Sequence, residues 1–238
     1  MSFAGVKALT FDTGGTILDW HSGFRDALKS VGRAHGLERD WADIANQLRR
    51  QSLGRMVNLG EHEPPAYNFD GAHRATLDAL IASNGLEVFS EADRQAIAYT
   101  AAHNFQCWPD FVEALPQLRA QHLCASFTIL SYRLIIDTAR RNGLHWDAVF
   151  SCEGIGKYKM LPEAYESVAQ YLQLEPHEIC MVACHHFDLD AAARVGFRTA
   201  YVRRPKEWGP VDPPNIPATM PRDIEVGTFA ELVSAVQV

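Results

Sequence analysis

The stretch FDTGGT at residues 11–16 places a carboxylate directly behind an apolar, strand-like run. Ligands of open α/β sheets bind outside the carboxyl ends of the strands, which is where Asp12 is expected to lie. Gly14 and Gly15 allow a tight turn that leaves the Asp12 carboxylate accessible to a substrate, and the Thr16 hydroxyl can donate a hydrogen bond back into the loop. Asp12 is therefore a candidate nucleophile, and a turn or helix-capping aspartate is the alternative.

Three more polar side chains follow later strand-like runs. In chain order they are Ser131 at the end of CASFTILS, Lys159 after AVFSCE and Asp188 after EICMVACH. We expect them to meet Asp12, because the carboxyl ends of parallel strands lie at one edge of a sheet. A cation keeps a nucleophilic carboxylate ionised, hydroxyl groups orient it, and a second carboxylate can activate water. The set predicts an active site with a covalent intermediate on Asp12.

The segments that position these residues alternate between strand and helix patterns. Strand patterns cover residues 7–13, 124–131, 148–153, 178–185 and 198–204, and helical periodicity covers residues 132–143, 161–174 and 188–196. Such alternation is typical of right-handed βαβ units in a parallel sheet. Residues 225–238 are predicted to form a final helix. The predicted fold class is α/β, with a Rossmann-like parallel sheet as its core.

Almost no strand signal interrupts residues 20–106. Amphipathic helical patterns cover residues 24–31, 41–56, 72–83 and 91–105, and residues 61–68 have the composition of a loop. An all-helical block therefore follows the first strand of an α/β sheet. This pattern predicts a core at residues 1–18 and 107–238, with an all-helical cap domain inserted at residues 19–106.

The composition argues against several classes of partner. Of the 238 residues, 47% are apolar and 21% are charged, and the net charge of −7 disfavours nucleic acid and anionic membranes as partners. No stretch approaches the roughly 18 apolar residues that span a bilayer, and the N-terminus lacks a secretory signal pattern. The five cysteines form no CxxC pattern, which favours buried, reduced thiols and a cytoplasmic location.

Taken in order, the motifs FDTGGT, ILS, YKMLPEAY and ACHHFDLDAA resemble those of the haloacid dehalogenase superfamily. The resemblance spans essentially the whole chain, including the helical block after the first strand, which matches the cap domain of that superfamily. Within the superfamily, the chain is most similar to the (S)-2-haloacid dehalogenase branch. The resemblance implies a hydrolase that uses no cofactor and acts on a small carboxylate. Relatives in this branch are often dimers, so the resemblance implies a possible homodimer and leaves a monomer as the alternative.

The same resemblance implies a reaction. Asp12 attacks the saturated carbon next to the substrate carboxylate, the leaving group departs with inversion, and an aspartyl ester forms. Water then hydrolyses the ester and releases a 2-hydroxy acid. Lys159 would hold Asp12 ionised, and Asp188 would position or activate the water. Ser131 and Thr16 would donate hydrogen bonds. Tyr165 would support these residues from behind.

The expected substrate-binding residues partly depart from the pattern of that branch. Arg49 falls where the branch has an arginine for the substrate carboxylate or leaving group, and a guanidinium fits a carboxylate well. A solvated helix face is the alternative for Arg49. Tyr132 and His185 stand where asparagines are frequent in that branch, and Phe187 stands where tryptophan is frequent. Gly14 replaces an aromatic residue, so it should enlarge or reshape the pocket. Trp20 is expected to line this pocket or to pack at the hinge to the cap.

Gly14 and Tyr132 also bear on the choice of reaction. Superfamily phosphatases carry a general acid at the position of Gly14, and the lack of such an acid costs about 10²–10⁴-fold in rate, so phosphatase activity is disfavoured. The two departures instead motivate an alternative leaving group, the ring amine of a strained cyclic amino acid such as azetidine-2-carboxylate. His185, His186 or Tyr132 would then exchange a proton with the amine.

Two further alternatives concern binding. A non-catalytic member of the superfamily would hold a small molecule between the cap and the core. A magnesium ion would use Asp12 and Asp188, because this cation prefers hard oxygen ligands. Lys159 beside Asp12 would compete with such a cation, so the sequence predicts no metal.

Overall fold

A six-stranded parallel sheet forms the centre of the molecule, with the strand order β3-β2-β1-β4-β5-β6. The computed structural model describes residue 3, residues 5–57 and residues 68–236. The strands are β1 (Ala8–Phe11), β2 (Leu123–Thr128), β3 (Ala148–Ser151), β4 (Ile179–Ala183), β5 (Arg198–Val202) and β6 (Ile224–Val226). This sheet confirms the predicted α/β class.

Helices surround the sheet and fill the segment after β1. The α-helices are α1 (Trp20–Ala34), α2 (Trp41–Val57), α3 (Phe69–Asn84), α4 (Glu91–Gln95), α5 (Pro109–Arg119), α6 (Tyr132–Asn142), α7 (Cys152–Ile155), α8 (Pro162–Leu172), α9 (His186–Val195) and α10 (Phe229–Val236). A π-helix at Ala96–Ala101 and a 3₁₀ turn at Ala102–Asn104 extend α4. No helix in the described part of the chain is long and apolar enough to cross a membrane.

The central position of β1 decides where the site lies. All four residues of β1 are buried, and Phe11 pairs with Ser126 of β2 on one side and with Val182 of β4 on the other. The carboxyl ends of these three strands therefore lie side by side. Side chains that follow β1, β2 and β4 can converge at one edge of the sheet, as the sequence predicts.

Local signals explain several of the helix boundaries. The Ser131 hydroxyl accepts a hydrogen bond from the Leu134 amide and so caps the start of α6. Gly143 adopts a left-handed conformation at the end of α6, and Gly196 does the same at the end of α9. Helix α8 begins at Pro162, in the first turn, where a missing amide proton costs nothing.

Every described element between Trp20 and Asn104 is helical. Buried side chains of α1 such as Phe24 and Leu28 belong to the same hydrophobic cluster as Leu9 and Phe11 of β1. We propose that residues 19–106 form the cap domain and that residues 1–18 and 107–238 form the core. The cap then shares an apolar boundary with the sheet.

The end of the chain differs from the sequence-based expectation, and one predicted loop lies mostly outside the described residues. The predicted helix over residues 225–238 is wrong at its start, because Ile224–Val226 pairs with β5 as a sixth strand and the helix begins at Phe229. Three residues are too few to show a strand pattern. The predicted loop at residues 61–68 lies outside the described residues except for Asn68, which caps α3.

Candidate active site

Asp12 follows β1 directly, and three donors bind its carboxylate. Lys159 Nζ lies 2.9 Å from Oδ1, while Thr16 Oγ1 and His185 Nδ1 lie 2.7 and 3.1 Å from Oδ2. Asp12 is 7% exposed. Burial opposes its ionisation, but Lys159, His185 and the hydrogen bond from Thr16 outweigh burial and hold the pKa of Asp12 well below its usual range. The carboxylate is therefore charged and available as a nucleophile at neutral pH.

Lys159 bridges two buried carboxylates. Its Nζ also lies 2.7 Å from Asp188 Oδ2, and the Tyr165 hydroxyl donates to Asp188 Oδ1 over 2.6 Å. Burial alone would lower the pKa of Lys159, but Asp12 and Asp188 outweigh burial and raise it. Burial and the neighbouring Asp12 raise the pKa of Asp188. Lys159 is thus a fixed cation whose ammonium group lies 4.9 Å from the ring centre of Phe127.

His185 lies between Asp12 and a third buried carboxylate, Glu207. Its Nε2 is 3.0 Å from Glu207 Oε1, which also accepts a hydrogen bond of 3.1 Å from Trp20 Nε1. Burial disfavours protonation of His185, whereas the carboxylates of Glu207 and Asp12 favour it, and the pKa of His185 lies well above the usual value. Each ring nitrogen faces an oxygen that can only accept a hydrogen bond, so His185 is an imidazolium ion here.

Glu207 is a residue of the site that is missing from the set expected from the sequence. This residue lies in the loop after β5, 195 positions from Asp12, and is 3% exposed. Gly15 makes the approach possible, because its φ is +100° and a Cβ atom there would overlap the Glu207 carboxylate. The one available signal is that the loop after β5 leaves the same edge of the sheet as Asp12.

Arg49 reaches from cap helix α2 onto the nucleophile loop. Its Nη2 donates to the Gly14 carbonyl oxygen over 3.1 Å, and its guanidinium lies 5.4 Å from the Trp20 ring centre and 5.7 Å from that of Phe69. Arg49 is 5% exposed, so the alternative of a solvated helix face is wrong. A Cβ atom at Gly14 would lie 3.1 Å from Nη2. The space beside Gly14 is therefore occupied by Arg49, and Gly14 reshapes the pocket instead of enlarging it.

A small cavity of about 30 Å³ opens beside Asp12. Its lining comprises Asp12, Gly14, Arg49, Leu53, Thr128, Ile129, Leu130, Lys159, Met160, His185, Phe187 and Asp188. A larger cavity of about 790 Å³ adjoins it and shares Arg49, Leu53, His185 and Phe187 with it. Phe187 stacks on the His185 ring at 5.3 Å between the ring centres. The small cavity exposes the Asp12 carboxylate to a ligand.

Ser131 does not meet Asp12 as predicted. Strand β2 ends at Thr128, so Ser131 lies three residues further, where it caps α6. Its hydroxyl donates to Asp70 of cap helix α3 over 2.7 Å. Thr128 borders the cavity instead, and its hydroxyl receives a hydrogen bond of 2.6 Å from Thr13. Ser131 connects the core to the cap in this structure.

Tyr132 and Trp20 also lie outside the small cavity. Tyr132 is 37% exposed, and its phenol packs against Gly154. Trp20 is buried between Arg49 and Glu207, as its hydrogen bond and ring contact show. Trp20 therefore supports two residues of the site from behind, which matches the packing alternative.

The groups that could hold a metal ion are engaged in other contacts. Cys184, His185 and Glu207 place one ligand atom each within 4.8 Å of one another, but these atoms already form hydrogen bonds among themselves and with Trp20 and Asp12. The carboxylates of Asp12 and Asp188 both bind the Lys159 ammonium group. That the reaction requires no metal ion stays a prediction.

Comparisons with known proteins identify the family of the chain. The family model of haloacid dehalogenase-like hydrolases matches residues 6–196. The curated (S)-2-haloacid dehalogenase 1 of Pseudomonas sp. (strain CBS-3) is 25% identical over 219 residues, which cover 85% of this chain and 88% of that protein. The curated (S)-2-haloacid dehalogenase 4A of Burkholderia cepacia is 24% identical over 205 residues and 84% of each chain.

Two solved structures are similar over nearly the whole chain. An L-2-haloacid dehalogenase superimposes with a TM-score of 0.88 at 29% identity, covering 98% of this chain and all of that chain. A defluorinating L-2-haloacid dehalogenase gives a TM-score of 0.90, also at 29% identity, and covers 98% of this chain and 96% of that chain. The protein is a hydrolase, and it belongs to the haloacid dehalogenase-like hydrolase family.

Proposed function

We propose that the protein is a 2-haloacid dehalogenase in which Asp12 is the nucleophile. The observation that carries the proposal is an ionised carboxylate, fixed by Lys159 and Thr16, that faces a cavity also lined by Arg49. The curated relatives are (S)-2-haloacid dehalogenases, which supports an (S)-2-halo carboxylate as the substrate. No cofactor enters the proposed reaction.

In the first half-reaction, Asp12 attacks the carbon that carries the halogen. The Asp12 oxygen bonds to that carbon, and the halogen leaves with its bonding electrons as a halide ion. Arg49 is positioned to bind the substrate carboxylate, since among the described residues its guanidinium makes one hydrogen bond, to the Gly14 carbonyl oxygen. A buried guanidinium with free donors is well suited to a carboxylate. Phe187 and Leu53 supply apolar walls.

In the second half-reaction, water hydrolyses the Asp12 ester. The oxygen of water bonds to the Asp12 carboxyl carbon, and the product leaves as a 2-hydroxy acid with the oxygen that Asp12 supplied. Lys159 stays next to the regenerated carboxylate and favours its return to the charged form. Asp188 and Tyr165 hold Lys159 in place.

Phosphate ester hydrolysis is disfavoured by the loop after Asp12. Such a reaction needs an acid to protonate the leaving alcohol, and Gly14 stands at the position where superfamily phosphatases carry it. Arg49 occupies the adjoining space and supplies no acid there, because a guanidinium keeps its proton. We expect no phosphatase activity.

The size of the cavity favours the smallest acids. A single water needs about 10–15 Å³ of such a volume, so about 30 Å³ corresponds to about two or three waters, and the reacting part of the substrate must be small. We infer that two- and three-carbon 2-halo acids are the best substrates. The adjoining cavity of about 790 Å³ provides the route of entry through Leu53 and Phe187.

Ring opening of azetidine-2-carboxylate is the second candidate. One observation favours it, because the imidazolium of His185 lies beside Asp12 and can protonate an amine leaving group. Tyr132 no longer supports it, since this ring lies outside the small cavity. Gly14 no longer supports it either, because Arg49 fills the adjoining space. We therefore rank halide displacement first.

Halide release by the purified protein tests the proposal. (S)-2-chloropropionate, its (R) enantiomer, fluoroacetate, azetidine-2-carboxylate and a phosphate monoester are compared with a chelator present, and the Asp12→Asn variant is the control. We expect halide and a 2-hydroxy acid from the (S) acid, and none from the variant. Turnover of the cyclic amino acid alone would favour the second candidate, and turnover of none of these compounds would refute both.

A further inference from the structure

We propose that His185, oriented by Glu207, is the base that activates water for hydrolysis of the Asp12 ester. The inference rests on the proposed function, because it assigns a residue to the second half-reaction of that chemistry. Neither the resemblance nor the comparisons assign a role to Glu207. The three residues form a chain of contacts, Asp12–His185–Glu207, with separations of 3.1 and 3.0 Å.

The geometry gives His185 access to the carbon that water must attack. Its Nδ1 lies 3.1 Å from Asp12 Oδ2, so a water that approaches the Asp12 carboxyl carbon from this side meets Nδ1 within hydrogen-bond reach. Both His185 and Asp12 border the small cavity. A base that is held by a carboxylate and faces the reacting group is the arrangement found in catalytic triads.

Glu207 fixes the orientation and the tautomer of His185. Its Oε1 is held by His185 Nε2 and by Trp20 Nε1, so the carboxylate cannot rotate without losing a hydrogen bond. Because the carboxylate can only accept, Nε2 keeps its proton when His185 is neutral. The lone pair of a neutral His185 is then on Nδ1, which faces Asp12.

The charges of the site explain when His185 becomes a base. The described residues of the site include three carboxylates and three cations, so their charges balance. The carboxylates are Asp12, Asp188 and Glu207, and the cations are Lys159, Arg49 and protonated His185. Formation of the ester removes the negative charge of Asp12. His185 then keeps Glu207 but loses Asp12 as a charged partner, which lowers its proton affinity. The first half-reaction thus converts His185 from an acid to a base.

The proton balance of the hydrolysis follows from this conversion. His185 releases the proton on Nδ1 to solvent after the ester has formed. Water then gives its oxygen to the Asp12 carboxyl carbon and a proton to Nδ1. The bond between that carbon and the ester oxygen breaks, and the product oxygen takes the second proton of the attacking water. The Asp12 carboxylate and the His185 imidazolium are restored, and the overall reaction releases one proton with the halide.

Asp188 is less suited to be this base. Both of its oxygens accept short hydrogen bonds, from Lys159 at 2.7 Å and from Tyr165 at 2.6 Å. A proton from water would have to displace one of these donors. Asp188 therefore positions Lys159. His185 is the residue whose ring nitrogen can accept a proton from water without displacing another donor.

Several groups from different elements face His185 and set its titration. They are Asp12 after β1, Arg49 of α2, the thiol of Cys184 after β4, the phenol of Tyr201 in β5, the ring of Phe187 in α9, and Glu207 after β5. Burial raises the pKa of Cys184, so this thiol is neutral. Glu207 is the one carboxylate next to His185 that keeps its charge in the ester form.

Mass spectrometry of the intact protein during a single turnover of (S)-2-chloropropionate separates the two half-reactions. The variants are His185→Asn and Glu207→Gln, with His145→Asn and Glu225→Gln, at exposed positions, as matched controls. We expect both site variants to form the ester and to release one halide per protein. Ester breakdown should then slow about 100-fold or more for His185→Asn and about tenfold or more for Glu207→Gln. The trapped ester also shows that each variant has folded.

The pH dependence of ester breakdown gives a second readout that a merely structural role would not move. In the wild type, the rate should rise with pH through the titration of His185 and then level off. Glu207→Gln should move this rise to lower pH, because the carboxylate that favours the imidazolium is gone. His185→Asn should remove the rise.

Each outcome decides the inference. Breakdown at the wild-type rate in both variants would overturn it and leave the proposed function intact. Loss of ester formation in His185→Asn, while the wild type forms the ester, would assign His185 to the first half-reaction and also overturn it. If the wild type forms neither ester nor halide, the proposed function itself fails, and the inference fails with it.

Discussion

Arg49 of the cap donates a hydrogen bond of 3.1 Å to the carbonyl oxygen of Gly14 in the nucleophile loop. This contact brings a cationic side chain from a helix 35 residues away to within reach of the ligand cavity beside Asp12. It also explains why a glycine suits position 14, because a Cβ atom there would press on the Arg49 guanidinium. The cap therefore supplies the group that we expect to bind the substrate carboxylate.

Replacement of Arg49 tests that role. Arg49→Gln removes the charge and the paired donors, and a hydrogen bond to a charged group contributes about 1.5–3 kcal/mol. We expect kcat/KM for (S)-2-chloropropionate to fall about 10- to 100-fold, chiefly through a higher KM. Arg55→Gln, on an exposed position of the same helix, is the control and should match the wild type. Equal steady-state kinetics for all three proteins would refute the assignment.

Lys159 should be essential for stability as well as for activity. Lys159→Met would leave Asp12 and Asp188 buried without their common cation, and the loss of one partner of a buried ion pair costs about 3–5 kcal/mol. Lys7→Met breaks an exposed pair with Glu178 and should cost at most about 1 kcal/mol. Urea denaturation gives both free energies of unfolding. Similar losses for the two variants would contradict the buried bridge.

A side chain at Gly15 should destabilise the protein by contacting Glu207 as well as by straining the backbone. Gly15 and Gly36 both have positive φ angles, +100° and +69°, so an alanine at either position carries a conformational cost of about 1–2 kcal/mol. A Cβ atom at Gly15 would also overlap the Glu207 carboxylate, whereas nothing lies within 4 Å of one at Gly36. We expect Gly15→Ala to be clearly less stable than Gly36→Ala in thermal denaturation. Equal melting temperatures would show that Glu207 does not approach the loop.

His103 should make the stability depend on pH. It lies 2.8 Å from Asp137 of α6 and 3.3 Å from Asp70 of α3, and although burial opposes its protonation, these carboxylates raise its pKa. An unfolded histidine titrates near pH ~6.5, so the contribution of His103 is complete below that pH and is lost as pH rises through the raised folded pKa.

Urea denaturation of the wild type and His103→Gln between about pH 5.5 and about pH 8.5 measures this contribution. The free energies of unfolding should differ most at the acidic end and converge at the basic end. A difference that grows with pH would contradict the ion pairs. The Ser131 hydroxyl donates to the same Asp70, so these contacts connect the helical segment to α6 and to the residue that caps it.

Part of the fold follows from local patterns in the sequence. Alternating strand and helix periodicity places β1 to β5 and α6, α8 and α9 to within a few residues, because each element buries one face or one run of apolar side chains. The short strand β6 is missed, since three residues carry no periodicity. Parallel topology then brings Asp12, Lys159 and Asp188 together, which needs only the rule that ligands bind at the carboxyl ends of strands.

The remaining site residues depend on geometry that no local pattern encodes. The strand-like run before Ser131 predicts this residue beside Asp12, but the strand stops three residues earlier and the serine caps a helix instead. Glu207 lies in a proline-rich loop, and only the folded chain shows that it meets His185. The sequence pattern places Arg49 on a helix. Its burial against Trp20 depends on how the cap helices pack, which no local pattern shows.

Transfer of oxygen from water to Asp12 tests the central claim most directly. The protein turns over (S)-2-chloropropionate many times in water enriched in heavy oxygen, and mass spectrometry of the peptide that contains Asp12 follows the label. We predict that heavy oxygen enters the Asp12 carboxylate, because water attacks the carboxyl carbon of the ester in each cycle. Heavy oxygen in the hydroxy acid from the first turnover onwards, with an unlabelled Asp12, would mean direct attack of water on the substrate and would contradict the account.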